Sequence, residues 1–305
     1  MDETLMMEKL MKKCFVFLGV VLLCTGSLVA EEAKEVKGYT GLYMGHSFFW
    51  PSVHQLKKVV PDTSLVGHKQ FLVQGGGAKG SPGKLWENEK TRKAGQAHLN
   101  TKSIDVLILT YHSPPNSSIE HYSKWFDYAL AQNPDTTFMV ALAWGTHLYK
   151  ADEKRLNNLK KGPSRLYEAL IVKLRKKYPR NAVLYCPYGL GTYELIDRFN
   201  QGKLPGIKFL LNPDRKTRQL SRKNNEQIFN DELGHVGELV AKLGALLWLK
   251  TLYDLDLSTV PPQRAKGLPG IDLNEIAETV SKRIEPFNTK GTGNGGREKA
   301  KPREE

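Results

Sequence analysis

Asp105-Val-Leu-Ile-Leu-Thr110 and Phe138-Met-Val-Ala-Leu-Ala143 are two nearly uninterrupted apolar runs, and between them Ile119, Tyr122, Trp125, Phe126, Ala129 and Leu130 recur at helical spacing. A run apolar at almost every position suits a strand buried on both faces, and such strands belong to parallel sheets covered by helices. The periodic segment between them supplies the covering helix. This strand–helix–strand unit sets the fold class as α/β.

The same alternation continues in both directions. Residues 39–47 and 65–74 upstream, and 182–189 downstream, are short segments rich in β-branched and apolar residues, and Leu166, Ala169, Leu170 and Leu174 return to helical spacing before the last of them. With 104–112 and 136–144 they make five strands alternating with helices, which predicts a parallel sheet in a three-layer α/β/α sandwich. A final long helix is predicted over 236–253, with Leu239, Val240, Leu243, Leu246, Leu247 and Leu252 on its apolar side. Pro261-Pro262 and Gly267-Leu-Pro-Gly270 then separate it from a second helix, Leu273–Ile284. The expected organisation is a domain over 38–256, a helical appendage over 257–287 and a disordered basic tail over 288–305.

The chain has 305 residues, 40% hydrophobic and 25% charged, enough to bury a core and far from the composition of a disordered polymer. At the N-terminus, Lys9, Lys12 and Lys13 precede the apolar run Cys14–Cys24, and Ser27-Leu-Val-Ala30 offers a small-residue cleavage site, so residues 1–30 read as a signal peptide. The run is shorter than the about 20 apolar residues of a transmembrane helix, so no stable membrane insertion is expected. Export to the periplasm or the cell exterior is expected, and bulky Leu23 before Cys24 argues against a lipid anchor. Removal of that segment leaves Cys186 alone, so no disulfide framework supports the fold.

The net charge of +13 concentrates in residues 150–161, 173–180, 214–223 and the tail. Few aromatics interleave with it and no nucleic-acid module is present, so nucleic acid is not expected as a partner. Clustered positive charge still raises the local concentration of an anionic polysaccharide or envelope polymer.

Two places carry candidate chemistry. The first strand ends in Tyr43-Met-Gly-His-Ser47, and a helical pattern follows, which puts Ser47 on a strand-to-helix turn at the carboxyl edge of the sheet. In open α/β sheets ligands bind beyond that edge, and the N-terminus of the following helix favours developing negative charge. The second place is Asn230-Asp-Glu-Leu-Gly-His235, ahead of the last long helix, which brings His235 to the mouth of the same sheet. A serine is a weak nucleophile unless an imidazole takes its proton and a carboxylate fixes the imidazole's tautomer. Asp231 or Glu232 is the candidate carboxylate. Read singly, Ser47 and Asp231 would serve as helix caps; their joint occurrence with His235 points to catalysis.

Gly45-His-Ser47 resembles the G-D-S block of SGNH (GDSL-like) hydrolases, with histidine in place of aspartate, and Asp231-Glu-Leu-Gly-His235 resembles their closing Asp-x-x-His block. Asp231 stands one residue further from the histidine than usual and Glu232 has the usual spacing; the shorter side chain favours Asp231. The resemblance extends from residue 38 to residue 253. It implies a flavodoxin-like five-stranded sheet, no metal, no cofactor, and hydrolysis of acyl esters, often on acetylated carbohydrate. It also implies an oxyanion hole built from the Ser47 backbone N–H, a glycine in Gly75-Gly-Gly77 (Gly76 or Gly77), and an asparagine after the third strand. There the chain departs from the pattern: Thr110-Tyr-His-Ser-Pro-Pro-Asn116 offers Asn116, or His112, where Gly-x-Asn-Asp is usual.

Three other readings are weaker. Gly75-Gly-Gly-Ala-Lys-Gly80 satisfies a dinucleotide fingerprint, but Ser81-Pro-Gly-Lys84 follows it in place of an apolar helix start. Trp50, Trp86 and Trp144 lie near strand ends or the glycine loop and could form a sugar-stacking platform. The altered third block fits a non-catalytic glycan-binding protein that keeps the hydrolase fold.

Overall fold

The computed structural model describes residues 35–213 and 226–289. The segment expected as a signal peptide, the basic run 214–223 and the tail beyond residue 289 therefore lie outside the described residues.

Five parallel strands form the central sheet: β1 Thr40–Gly45, β2 Lys69–Gln74, β3 Val106–Tyr111, β4 Thr137–Leu142 and β5 Val183–Cys186. They lie in the order β2-β1-β3-β4-β5. Consecutive residues alternate between the two faces, as a period of two requires. On one face Tyr43, Ile108, Met139 and Leu184 join the first core cluster. On the other, Leu42, Met44, Leu107, Leu109, Phe138 and Val140 join the second. The chain is a three-layer α/β/α sandwich, the fold that its two apolar runs predict.

Helices α1 Trp50–Val59, α5 Gly189–Asn200 and α6 Glu238–Tyr253 cover the first face, while α2 Glu89–Leu99 and α3 Ile119–Gln132 cover the second. Trp125 on α3 and Trp248 on α6 are fully buried on opposite sides of the sheet. Burying a large side chain of this kind contributes about 1.5–3 kcal/mol, so these layers carry much of the stability. The β4–β5 connection contains α4 Glu153–Lys160, a short helix Gly162–Leu166, a π-helical turn Tyr167–Ile171 and a last helix Val172–Lys177. Among the described residues no helix is long and apolar enough to cross a membrane.

The structure refines several expected boundaries. The segment 65–74 breaks at Gly67 (φ 77°), and Leu65–Val66 pairs instead with Val36–Lys37 in a separate parallel pair. Helix α6 begins two residues later than the apolar pattern suggests, because Val236 bridges to Phe229 in antiparallel fashion. Pro82 does open a helix after the glycine loop, a six-residue one ending at Glu87.

The helix expected as an appendage, α7 Leu273–Ile284, is part of the core. Its Leu273, Ile276, Ala277, Val280 and Ile284 belong to the same cluster as α6. That packing is why α6 is buried on nearly every side, leaving Glu238, Lys242, Lys250 and Tyr253 as its partly exposed positions. Further on, buried Asn288 closes the edge of β5. Its Oδ1 accepts the Tyr185 N–H at 2.9 Å and its Nδ2 donates to the Tyr185 carbonyl at 2.9 Å. An open strand edge is thereby satisfied by a side chain.

Candidate functional site

The site forms where β1 hands the chain to α1. His46, Ser47, Phe48 and Phe49 make a turn closed by the Phe49 N–H donating to the His46 carbonyl at 2.8 Å. Gly45 is required there, since a Cβ would stand 2.5 Å from the Phe49 ring and 2.8 Å from the Thr110 methyl. Ser47 is half-buried at the tip of the turn, at the carboxyl end of β1. That strand is the point at which the strand order reverses, where open α/β sheets place their ligands.

The loop 229–236 brings the second element. The Phe229–Val236 bridge and the Asn230 N–H donated to the His235 carbonyl at 2.6 Å pinch it into a hairpin-like return. Asp231 folds back inside this loop: its Oδ1 accepts the backbone N–H groups of Gly234 and His235, each at 3.0 Å. Gly234 takes φ 104°, a left-handed region that a side chain would strain. The Trp144 indole then donates to the Gly234 carbonyl at 2.9 Å, tying the loop to the end of β4.

These two elements meet. Ser47 Oγ lies 2.9 Å from His235 Nε2, and His235 Nδ1 lies 2.5 Å from Asp231 Oδ2. Asp231 accepts the Nδ1 proton, which leaves the Nε2 lone pair facing the serine hydroxyl. A hydroxyl held in this way can pass its proton to the imidazole as it attacks an electrophile. The imidazole's orientation is fixed by packing as well: its ring stands edge-on to Phe48 at 5.2 Å, and Phe48 stacks on Trp144 at 5.2 Å.

Of the other sequence candidates, Glu232 is exposed and makes no part of the Ser47–His235–Asp231 chain. Gly77 lines the cavity that opens at Ser47, whereas Gly76 lies outside that lining. His112 also lines it, with its ring 5.5 Å from that of His46. Asn116 does not: its Nδ2 is 3.5 Å from Ser113 Oγ, and the Pro114–Asn116 turn keeps it away from the lining. The three tryptophans do not form one platform. Trp50 donates to the Gly45 carbonyl, Trp86 packs edge-on against Trp125 in the opposite layer, and Trp144 is buried beneath Phe48.

His46 is a site residue that its motif position alone did not assign. It is buried, its Nδ1 accepts the Phe48 N–H at 3.3 Å, and its Nε2 is 3.3 Å from the Tyr111 carbonyl. Acceptance at one nitrogen and donation at the other defines the neutral imidazole. Burial pushes its pKa down to about 4, with the Tyr111 carbonyl opposing that shift and the nearby His112 and His235 adding to it. His46 therefore joins the Ser47 turn to the end of β3.

No family model matches the chain, and no curated protein matches it. Among solved structures it is similar to a DUF4886 family protein from Bacteroides uniformis, with 14% identity, a TM-score of 0.51, and coverage of 85% of this chain and 98% of that one. At that identity the likeness speaks for the α/β/α fold alone.

Proposed function

We propose that this chain is a serine hydrolase that cleaves an ester through an acyl-enzyme, as its motif resemblance to SGNH hydrolases leads one to expect. One observation carries the reading: the unbroken path from Ser47 Oγ through the His235 ring to Asp231 Oδ2, at 2.9 and 2.5 Å. In the first step Ser47 Oγ bonds to the acyl carbon as His235 Nε2 takes the hydroxyl proton. The tetrahedral anion collapses, the bond to the alcohol oxygen breaks, and His235 returns the proton to that oxygen. Water then repeats the sequence on the acyl-enzyme, releasing the carboxylic acid and restoring the serine hydroxyl.

The anion needs donors. The backbone N–H groups of Ser47 and Gly77, two residues lining one cavity, are the natural pair, with the His112 imidazole as the third. Loss of one such donor typically costs about 10²–10³ in rate. Export and an anionic or polysaccharide-linked ester substrate belong to the same reading; they are supported by the N-terminal apolar run and the net charge of +13.

A second reading, a non-catalytic glycan-binding protein, draws on the position of Asn116 outside the cavity lining. Hydrolysis of p-nitrophenyl acetate by the wild type and by Ser47→Ala separates the two. The proposal expects turnover that the variant loses; equal rates would remove it, and glycan binding without turnover would favour the second reading.

A further inference from the structure

The cavity that opens at Ser47 has a volume of about 680 Å³ and runs along the carboxyl edge of the sheet. Its lining comes in turn from the ends of β2, β1, β3, β4 and β5: Gly77, Ser47, His112, Leu142 and Pro187. Neighbouring strands lie about 4.8 Å apart, so the three intervals from β1 to β5 cover roughly 14 Å. An extended hydrocarbon of about eight carbons needs roughly 10 Å at ordinary bond lengths.

The chemistry of the wall changes along this path. Around β1 and β3 it presents Ser47, His235, His46 and His112. From the end of β4 onwards it is formed largely by Leu142, Leu159, Leu166, Leu190 and Tyr193, with Thr146 as a polar side chain among them. Arg165, the charged residue of this half, is exposed to solvent. A sugar is held by several convergent polar groups, whereas a wall of aliphatic and aromatic side chains favours an apolar occupant. The roof has an irregularity to match: the π-helical turn Tyr167–Ile171 follows Leu166 directly, and both Leu166 and Ala169 face the cavity. π-helical turns recur at functional sites, where they re-aim side chains.

We propose that this apolar arm holds the acyl chain of a medium- or long-chain ester whose carbonyl sits at Ser47; the inference rests on the serine hydrolase reading. The acyl chain, and not the alcohol, is assigned to it because the alcohol must leave and water must enter at His235, whose side chain keeps 25% of its surface exposed. The acyl group stays bonded to Ser47 through both events and so belongs in the apolar arm, away from the path at His235.

Full-length protein assayed on p-nitrophenyl acetate, butyrate and octanoate, and on octyl acetate, tests this. Each methylene buried is expected to raise kcat/KM by about fourfold, so burial of even three of the six methylenes that octanoate adds gives a preference of at least about 50-fold over acetate. Ala169→Phe, which puts a ring into the arm, should lower the octanoate-to-acetate ratio of kcat/KM by at least about tenfold. A flat series with Ser47-dependent acetate hydrolysis intact would overturn the acyl-chain assignment and leave the hydrolase reading standing. A chain preference seen with octyl acetate alone, or an unchanged ratio in Ala169→Phe, would overturn it as well. Absence of Ser47-dependent turnover on every ester would remove both.

Discussion

The Nδ1 atom of His46 accepts the backbone N–H of Phe48 across the residue that carries the candidate nucleophile, at 3.3 Å. With its other nitrogen near the Tyr111 carbonyl, this buried ring holds the Ser47 turn in shape only while it is neutral. A proton on Nδ1 would turn an acceptor into a donor facing an N–H group.

This arrangement makes stability depend on pH. Unfolded, an imidazole takes up its proton near pH 6.5, while in the fold burial delays His46 to about pH 4. Between those values the unfolded chain binds the extra proton, so the contribution is complete above about 6.5 and is lost as pH falls towards 4. The loss is on the order of 3 kcal/mol. His68, also lowered by burial, acts in the same direction. Urea unfolding above pH 6.5 and near pH 4 should show this drop, and His46→Gln should make it smaller. An unchanged slope in the variant would contradict the role given to His46.

The carboxylate that orients His235 is Asp231. Asp231→Asn should lower ester turnover by about 10³–10⁴-fold, because an amide facing Nδ1 favours the wrong tautomer. Glu232→Gln, at an exposed position, should change it little. Steady-state kinetics on both purified variants decide the matter; the reverse ranking would overturn the assignment.

Trp144 acts through the His235 loop. Trp144→Phe keeps a ring beneath Phe48 but removes the hydrogen bond to the Gly234 carbonyl. A hydrogen bond of this kind is worth about 1 kcal/mol, so kcat should fall by roughly tenfold or less, with the near-ultraviolet circular dichroism otherwise native. Full activity would show that the loop holds its place without the indole.

Asn288 should matter for stability and not for chemistry. It is buried and satisfies both backbone groups of Tyr185, and the Arg175 guanidinium donates to it at 3.3 Å. Asn288→Ala strands these groups and should cost about 2–4 kcal/mol in denaturant unfolding, while activity per folded molecule stays unchanged. A midpoint equal to the wild type would mean that other groups close the β5 edge.

Much of this architecture was legible in the sequence because parallel strands buried on both faces leave a mark in every residue of Val106–Tyr111 and Thr137–Leu142. That Ser47, His235 and Asp231 come together was legible because a candidate nucleophile and its base would need fixed places relative to strand ends. His46 was not, since one histidine before a serine carries no periodic or spacing signal until its two acceptor and donor partners are seen. The burial of α7 was hidden by Pro261-Pro262 and Gly267-Leu-Pro-Gly270, which mark a break in local structure and say nothing of where the chain then packs. The apolar arm draws its wall from several loops and a π-helical turn, so no single stretch of sequence announces it.

The central claim is that Ser47 is made nucleophilic by His235. Treatment with a fluorophosphonate ester, followed by intact mass and peptide mapping, tests it most directly. The account predicts one phosphonyl adduct on Ser47 in the wild type, with little or none in His235→Ala and none in Ser47→Ala. Wild-type protein that stays unlabelled, or that is labelled equally well without His235, would contradict it.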